Sequence, residues 1–179
     1  GLTGNARVYL ANKIATKTTY PSWGYRIEKN STTISEVCNG NTADPAMNSG
    51  NHLMLLGDVM TWYYEKLAGI KTDMEKVGFK KIIMNPIFPE GLDHVKASTL
   101  SPYGKISSEW TKKGNELQWE IEIPANTSAL VFIHAASLEH VSVDGNRINS
   151  MEGLTIVTVK DGVITLEAGS GKYRFKLTK

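Results

Sequence analysis

The chain has 179 residues, of which 41% are hydrophobic and 21% charged, a composition typical of a folded globular protein. Its net charge of only +2 gives no electrostatic basis for a nucleic acid or an anionic membrane as partner, and no run of about 18 apolar residues predicts a membrane-spanning helix. The single cysteine, Cys38, excludes an internal disulfide and a site built from several thiolates, and it leaves the cellular compartment open.

Helical patterns dominate the first 70 residues, beginning with a predicted helix over roughly 4–16. Thr3 is a suitable N-cap for this helix, whose apolar residues recur at helical spacing at Ala6, Leu10, Ala11 and Ile14. The segment Tyr-Pro-Ser-Trp-Gly-Tyr of residues 20–25 then predicts a break, because proline pushes the preceding residue to extended geometry and Gly24 frees a turn.

A long polar loop is predicted over 30–51, and long loops inside compact domains are often functional. A second helix follows over 52–67, with Gly69 as its C-terminal stop. Its N-cap is expected at Asn48, Ser49 or Asn51, and its buried stripe is expected at Leu53, Leu56, Met60, Tyr63 and Leu67.

After residue 78 the hydrophobic pattern changes to a period of two, which predicts about nine short strands. An Asp-Gly pair at 144–145 indicates a tight hairpin, and the continuous apolar run over 129–134 indicates a central strand. Such a series of strands predicts an antiparallel sandwich or jelly roll. The strands are expected at 79–84, 95–101, 105–110, 117–123, 129–134, 141–143, 154–159, 163–166 and 173–177.

The chain therefore divides into a helical part over 1–72 and a β-sandwich over 73–179, an α+β organisation. Two or three helices do not readily form a stable domain. They either pack on the sandwich or are the last helices of a larger helical domain. The chain opens on Gly-Leu-Thr rather than on Met, which favours the second alternative and a longer parent polypeptide.

Three features of the helical part could carry chemistry, and each also has a structural interpretation. Glu36 lies in the polar loop, either as a catalytic carboxylate or as a solvated or helix-capping residue after Thr32-Thr33. His52 is expected in the first turn of a helix, where it either donates a hydrogen bond from a neutral ring or only caps and packs. The aromatic residues of 20–25 either stack on a sugar ring or fill the seam between helices and sandwich.

The sandwich offers no comparable cluster. His94, His134 and His140 have no metal-ligand spacing, and His134, which ends an apolar strand, is expected to be a core or edge residue. Glu120 and Glu122 alternate with apolar residues along one strand, so both are expected to face solvent. No loop has the ligand spacing of a calcium site, and no metal or other cofactor is expected.

Several motifs of the chain, in their order, resemble those of the C-terminal portion of bacterial α-L-rhamnosidases. In the helical part they are Tyr-Pro-Ser-Trp-Gly-Tyr at 20–25, Thr-Thr-x-x-Glu at 32–36, Asn-Ser-x-Asn-His at 48–52 and Tyr-x-x-Leu-Ala-Gly-Ile at 64–70. In the sandwich they are Gly-Phe-Lys at 78–80, Ser-Pro-Tyr-Gly-Lys-Ile at 101–106 with Trp110, Ile-Pro-Ala-Asn-Thr at 123–127 and Gly-Ser-Gly-Lys-Tyr-Arg-Phe at 169–175. The resemblance implies the terminal helices of an (α/α)6 barrel followed by the family's C-terminal sandwich.

The resemblance also implies roles for individual residues. These enzymes hydrolyse α-L-rhamnosides with inversion by means of two carboxylic residues. The Thr-Thr-x-x-Glu motif supplies the general base, here Glu36, and the general acid lies upstream of the matched segments. Trp23, His52, Tyr20 and Asn51 are expected to bind the sugar. The chain departs from the usual motif at Asn30, where glycine is common, at Ser35, where tryptophan is common, and at Cys38, where an aromatic residue is common.

The expected partner is thus a rhamnose-containing glycoside, handled by a bacterial enzyme in the cytoplasm, in the periplasm or outside the cell. On its own the chain is expected to be inactive and to associate with itself through uncovered helix faces. The alternative function is a non-catalytic carbohydrate-binding sandwich with a helical stub.

Overall fold

In the computed structural model, the described residues are 5–40, 42–44, 46 and 49–178. They divide into two units, one extending to Trp62 and the other spanning Tyr63–Lys179. The predicted caps Thr3 and Asn48, and the side chain of Ala6, lie outside what is described.

The described residues of the first unit form three α-helices: α1 (Asn5–Thr16), α2 (Trp23–Glu28) and α3 (Met54–Trp62). Helix α1 confirms the first predicted helix. Helix α2 falls where only a break was expected, and Gly24 lies inside it instead of forming a turn. Its lack of a side chain permits close packing, since a Cβ there would stand 2.5 Å from the carbonyl oxygen of Lys17.

The second predicted helix is shorter at its start and changes type at its end. Helix α3 begins at Met54, so the expectation that His52 lies in its first turn is wrong. Beyond Trp62 the backbone continues as one turn of π-helix, Tyr63–Leu67, in the second unit. Gly69 follows with φ of +76°, a left-handed conformation that glycine adopts without strain, and it ends the helical segment as expected.

The predicted buried stripe of this helix is wrong for four of its five residues. Helix α3 buries none of its residues, and only Leu67, in the π-helical turn, is buried. We call residues 53–67 the α3 segment. The large hydrophobic residues of α1 and of the α3 segment that the structure leaves exposed are Tyr9, Leu10, Ile14, Leu53, Met54, Leu56, Met60 and Tyr63. The expected uncovered apolar surface is therefore present on the helices.

The second unit is a sandwich of two sheets, and it contains all nine predicted strands. A five-stranded sheet has the order β1-β2-β6-β10-β9 and a six-stranded sheet the order β3-β4-β5-β11-β7-β8. Two strands, β1 and β8, are additional to the prediction. The strands are β1 (Ile70–Thr72), β2 (Lys81–Met84), β3 (His94–Ser101), β4 (Gly104–Lys113), β5 (Glu116–Ile123), β6 (Ser128–His134), β7 (Val141–Val143), β8 (Asn146–Arg147), β9 (Leu154–Lys160), β10 (Val163–Ala168) and β11 (Gly171–Thr178).

Strand pairing confirms the α+β class with an antiparallel sandwich, and it adds one exception. Strands β2 and β6 run parallel, whereas the other pairs in the described residues are antiparallel. Strand β6, the predicted central strand, lies between β2 and β10. Two Asp-Gly pairs make two-residue hairpin turns with positive φ at both positions, 48° and 81° at 144–145 and 53° and 73° at 161–162.

The core between the sheets is apolar and contains two tryptophans with hydrogen-bonded indoles. Trp119 donates from Nε1 to Ser108 Oγ at 2.9 Å, and Ser108 donates to the carbonyl of Ala68 at 2.6 Å. Trp110 donates to the carbonyl of Leu67 at 2.7 Å. These bonds satisfy carbonyls left without partners where the helical segment ends, so the π-helical turn is fixed to β4.

Glu120 and Glu122 lie on the outer face of the six-stranded sheet, as the alternation along β5 predicts, and the structure adds that both form charge pairs there. Glu120 accepts a hydrogen bond from Arg174 at 2.6 Å, and Glu122 lies 3.4 Å from the ammonium of Lys172. His134 lies exposed at the end of β6, with its Nε2 3.2 Å from Asn85 Oδ1, so it is not a core residue.

Candidate active site

The short helix α2 is built by its N-cap, Ser22. This residue has extended backbone geometry, with φ of −168° and ψ of 167°, and its Oγ accepts a hydrogen bond from the amide of Tyr25 at 3.0 Å. The same hydroxyl lies within hydrogen-bond distance of the carbonyls of Lys17 and Thr19, in the segment that follows α1. Ser22 therefore fixes where α2 begins and where its first residue, Trp23, is placed.

Helix α2 presents an aromatic and cationic face. Arg26 is three positions after Trp23, a spacing that puts both side chains on one side of a helix, and its guanidinium lies 5.0 Å from the centre of the Trp23 ring. Tyr20, half exposed, meets Tyr25 edge to face with ring centres 5.7 Å apart. The predicted sugar-binding aromatics Tyr20 and Trp23 thus lie three positions apart in one short segment, and each contacts a residue of α2.

Two stretches of the polar loop lie side by side and bring the predicted site motifs together. The Thr33 hydroxyl donates to the carbonyl of Gly50 at 2.7 Å, and the His52 amide donates to the carbonyl of Ile34 at 2.5 Å. The stretch 33–36, which ends the Thr-Thr-x-x-Glu motif, therefore runs beside the stretch 49–52 that carries Asn51 and His52.

Glu36 is held in this arrangement by its backbone and by its carboxylate. Its amide donates to the carbonyl of Ser49 at 2.9 Å, and the Ser49 amide donates to Glu36 Oε2 at 3.3 Å. The carboxylate keeps 53% of its side-chain surface exposed. Because Glu36 lies outside any helix, the helix-capping interpretation of Thr32-Thr33 before it is wrong.

The ring of His52 approaches the carboxylate of Glu36. Nδ1 of His52 and Oε2 of Glu36 are 3.9 Å apart, and the His52 side chain is 27% exposed. Asn51, beside it in the chain, is exposed. The arrangement leaves a carboxylate in contact with solvent, with an imidazole at its side, which is a geometry from which a water molecule can be deprotonated.

The three residues that depart from the usual motif, Asn30, Ser35 and Cys38, each have a distinct local environment. Asn30 has φ of +52°, a left-handed conformation suited to glycine and tolerated by asparagine. Ser35 is buried and its hydroxyl donates to the carbonyl of Val37 at 2.7 Å. Cys38 is a free thiol whose Sγ lies 3.7 Å from Nη2 of Arg26.

Arg26 is the functional candidate that sequence reasoning missed. Its Nη2 lies 3.4 Å from the carbonyl oxygen of Glu36, so it links the stretch that carries Glu36 to the helix that carries Trp23. The spacing from Trp23 was the available signal, and it becomes informative only once residues 23–28 are known to be helical.

Neither a cluster of metal-ligating side chains nor a membrane-spanning helix is found in the described ranges. No group of three or more His, Cys, Asp or Glu side chains there could hold a metal ion. Within the same ranges, no helix is long and apolar enough to cross a membrane.

Comparison with protein families places the helical unit in the glycosidases and the sandwich in a domain that accompanies them. The family model described as the bacterial alpha-L-rhamnosidase 6 hairpin glycosidase domain matches residues 1–67, and the one described as the bacterial alpha-L-rhamnosidase C-terminal domain matches residues 69–147. The chain belongs to the bacterial α-L-rhamnosidase family, and its motifs correspond to the C-terminal portion of these enzymes.

Individual relatives agree with this assignment. An α-L-rhamnosidase of Formosa agariphila is 32% identical over 100% of this chain, and one of Streptomyces avermitilis is 31% identical over 97% of it. The chain spans only 20% and 16% of the length of these two relatives.

Solved structures give the same result. The crystal structure of Streptomyces avermitilis α-L-rhamnosidase complexed with L-rhamnose matches 96% of this chain with a TM-score of 0.81 and 29% identity, over 16% of its own length. The α-L-rhamnosidase from Dictyoglumus thermophilum matches 99% with a TM-score of 0.82 and 32% identity, over 20% of its length.

Proposed function

We propose that this chain supplies the general base and part of the sugar pocket of an α-L-rhamnosidase that hydrolyses terminal α-L-rhamnosyl linkages with inversion. The observation that carries the proposal is the half-exposed carboxylate of Glu36, fixed by Ser49 and flanked by His52. Similarity to rhamnosidases over nearly the whole chain supports the substrate class.

The proposed reaction assigns Glu36 a single proton-transfer step. An inverting glycosidase places one carboxylate on the face of the sugar opposite the leaving group, where it accepts a proton from water as that water attacks the anomeric carbon. A second carboxylic acid protonates the departing oxygen. The two carboxyl groups stand about 6.5–9.5 Å apart to leave room for the water. Glu36 suits the first role because its carboxylate is open to water and its backbone is fixed at Ser49.

The pocket wall is proposed to consist of Trp23, Tyr20, His52 and Asn51. L-rhamnose is a 6-deoxy sugar, so it presents a methyl group and an apolar ring face as well as hydroxyls. Trp23 and Tyr20 offer aromatic surface for the apolar parts. His52 and Asn51 offer hydrogen-bonding groups for the hydroxyls. The solved Streptomyces avermitilis relative was crystallised with L-rhamnose, which supports this choice of ligand.

The catalytic portion is proposed to extend over residues 1–72, with the sandwich domain over 73–179. The general acid is proposed to belong to the part of the enzyme that precedes the matched segments. The 179-residue chain alone should then turn over no aryl α-L-rhamnoside, because acid catalysis contributes about 10²–10⁴-fold and a closed pocket is also required. Activity of the purified chain would contradict this division of roles.

The decisive experiment replaces Glu36 in the complete enzyme. Glu36→Gln should lower kcat by about three orders of magnitude or more, since the amide keeps the shape but cannot accept a proton in the transition state. Substrate binding should change little. Steady-state kinetics on an aryl α-L-rhamnoside measure both quantities, and Glu28→Gln, an exposed glutamate at the end of α2, is the matched control.

Azide gives the same variant a second readout. Azide is an anionic nucleophile that needs no base, so with Glu36→Gln it should attack the anomeric carbon and displace the protonated leaving group. The product is a rhamnosyl azide of inverted configuration. Near-normal kcat of Glu36→Gln at an unchanged melting temperature would show that Glu36 is not the base.

Substitutions in the pocket wall should behave differently from Glu36→Gln. Trp23→Ala removes a stacking surface that the bound substrate already uses, so KM should rise as well. The kinetic effect of His52→Ala should be intermediate between those of Glu36→Gln and Trp23→Ala, with changes in both kcat and KM. A hydrogen bond to a sugar hydroxyl acts in both the ground state and the transition state. Identical kinetic profiles for all three variants would point to a loss of structure instead of distinct roles.

A further inference from the structure

Arg26 is a buried cation whose hydrogen-bonding capacity is only partly used. Only 5% of the residue is exposed, and Nε and Nη1 have no hydrogen-bond partner among the described residues. The third nitrogen, Nη2, reaches the carbonyl oxygen of Glu36 at 3.4 Å and Sγ of Cys38 at 3.7 Å.

Such an arrangement does not favour folding. Burying a charged group with unpaired N–H donors carries a desolvation penalty that an apolar side chain of similar length, such as methionine, avoids. The stability of α2 therefore gives no reason for arginine at this position. We attribute the arginine to the two contacts of its guanidinium, with the carbonyl oxygen of Glu36 and with the Trp23 ring. Methionine could not donate the hydrogen bond to that carbonyl.

Those contacts join two parts of the candidate active site. On one side the guanidinium stacks 5.0 Å from the centre of the Trp23 ring, and on the other it donates to the backbone of Glu36. Its own backbone is fixed as well, because the carbonyl of Arg26 accepts a hydrogen bond from the amide of Ser31 at 2.9 Å. Arg26 is thus attached both to the helix that carries the aromatic surface and to the stretch that carries the carboxylate.

We propose that Arg26 is a positioning residue, which sets the Glu36 carboxylate at a fixed place relative to the Trp23 ring. The inference rests on the proposed role of Glu36 as general base. A base and a sugar-binding surface must keep their relative placement, because a misplacement of about 1 Å can lower the rate by about 10²-fold. The bond to the Glu36 carbonyl restrains the backbone from which the carboxylate projects.

The kinetic test compares Arg26→Met, Arg26→Lys and a control in the complete enzyme. Arg26→Met should lower kcat by about 10–100-fold and raise KM, with the melting temperature unchanged or raised. Arg26→Lys, which keeps one donor and the charge, should recover part of kcat. Lys29→Met is the control, because Lys29 lies over the Tyr25 ring at 5.7 Å in the same helix region, and kcat should stay within twofold. A melting temperature that falls in step with kcat would overturn the proposal.

Azide separates positioning of the base from other effects. In the Glu36→Gln background with azide, no base operates, so adding Arg26→Met should change the rate of rhamnosyl azide formation by no more than about threefold. A loss as large as in the hydrolytic reaction would show that Arg26 acts on something other than Glu36, and would overturn the proposal.

Hydrogen exchange of the 179-residue chain gives a readout that needs no catalysis. The Glu36 amide, bonded to the Ser49 carbonyl, should exchange at least about tenfold faster in Arg26→Met than in the unsubstituted chain, while amides of strand β10 stay unchanged. An unchanged Glu36 amide, or one already unprotected in the unsubstituted chain, would overturn the proposal. If that amide responds but Glu36→Gln keeps full activity, the positioning contact stands and the assignment of the base fails.

Discussion

The two units of the chain bury opposite kinds of residue. In the second unit the buried set is mainly apolar, including Trp110, Trp119, Phe175, Ile164 and Leu166. In the described part of the first unit the buried side chains are polar, namely Asn12, Ser22, Arg26 and Ser35, and large apolar side chains on α1 and α3 face solvent. Apolar burial is the main driving force of folding, so the second unit carries its own stability and the first unit has little of this kind.

Separating the two units tests most directly whether their difference in apolar burial produces a difference in stability. Residues 63–179 alone should unfold in one cooperative transition, with a free energy of unfolding of about 5–15 kcal/mol. Residues 1–62 alone should show no cooperative transition. Circular dichroism during thermal and denaturant unfolding measures both. A cooperative transition in the 1–62 fragment would mean that polar burial and short helices suffice for a stable unit.

A matched pair of leucines tests the same contrast inside the intact chain. Leu166 is fully buried and Leu53 is 66% exposed. Leu166→Ala should lower the free energy of unfolding by about 2–5 kcal/mol, and Leu53→Ala by less than about 0.5 kcal/mol. Denaturant titration followed by tryptophan fluorescence gives both values. Equal losses would show that the α3 segment is buried in solution.

Local sequence signals accounted for most of the second unit. The strand at 117–123 and the hairpin turn at 144–145 were both predicted, because alternation and an Asp-Gly pair can be interpreted from neighbouring residues alone. Strand β1 was missed because three residues, Ile-Lys-Thr, carry no alternation and become a strand only by pairing with β2. The parallel pairing of β2 with β6 depends on segments more than 40 positions apart, which no local pattern encodes.

In the first unit the sequence located the candidate residues but not the contacts between them. Pro21 and Gly24 indicate a break, and they concealed the local N-cap signal of Ser22, whose Oγ accepts from the amide of Tyr25 three residues on and begins α2. Burial of Arg26 depends instead on contacts with the separate stretch 36–38 and was unpredictable, since charged residues are mostly exposed. The apolar stripe of the α3 segment was located but its burial was wrong, because the described residues provide nothing that covers it.

Exposed apolar helix faces should also make the intact chain associate with itself. Leu53→Lys should weaken that association about tenfold, because it places a charge on the exposed apolar surface of the α3 segment. Since Leu53 is 66% exposed, the free energy of unfolding should change little. Sedimentation velocity over a range of concentrations measures the effect. Leu100→Lys, at a position 82% exposed in the second unit, is the control and should leave association unchanged. A strictly monomeric unsubstituted chain would contradict the prediction.

The smallest expected effect is a pH dependence confined to the second unit. The Glu109 carboxylate accepts hydrogen bonds from Lys96 at 2.7 Å and His94 at 3.1 Å, and these neighbours, Lys96 foremost, lower the pKa of Glu109. Because the pKa of Glu109 is lower in the folded chain, the unfolded chain binds a proton at Glu109 at a higher pH than the folded chain does. Stability from the cluster is therefore complete above about pH 4.3 and is lost as the pH falls through the lower pKa of the folded state.

Glu109→Gln removes that contribution and checks its sign. At pH 7 the variant should melt only about 1–3 °C below the unsubstituted chain, because an exposed cluster is screened by solvent. The difference should shrink as the pH falls toward 3, because protonation of Glu109 removes the same interaction. Glu139→Gln, at an exposed residue of the same unit, should show no such difference. A difference that grows toward low pH would reverse the assigned sign.

The position of β11 has a consequence for how the sandwich assembles during synthesis. Strands β3, β4 and β5 are neighbours in sequence and can pair as soon as they exist, and so can β9 and β10. Strand β11 lies between β5 and β7, so the six-stranded sheet stays divided until residues 171–178 are available. Because pairing of distant segments is slow, we expect the meander to form first and the C-terminal strand to close the sheet last. A growing chain would thus keep the facing edges of β5 and β7 unpaired, and open to incorrect pairing, until β11 has been synthesised.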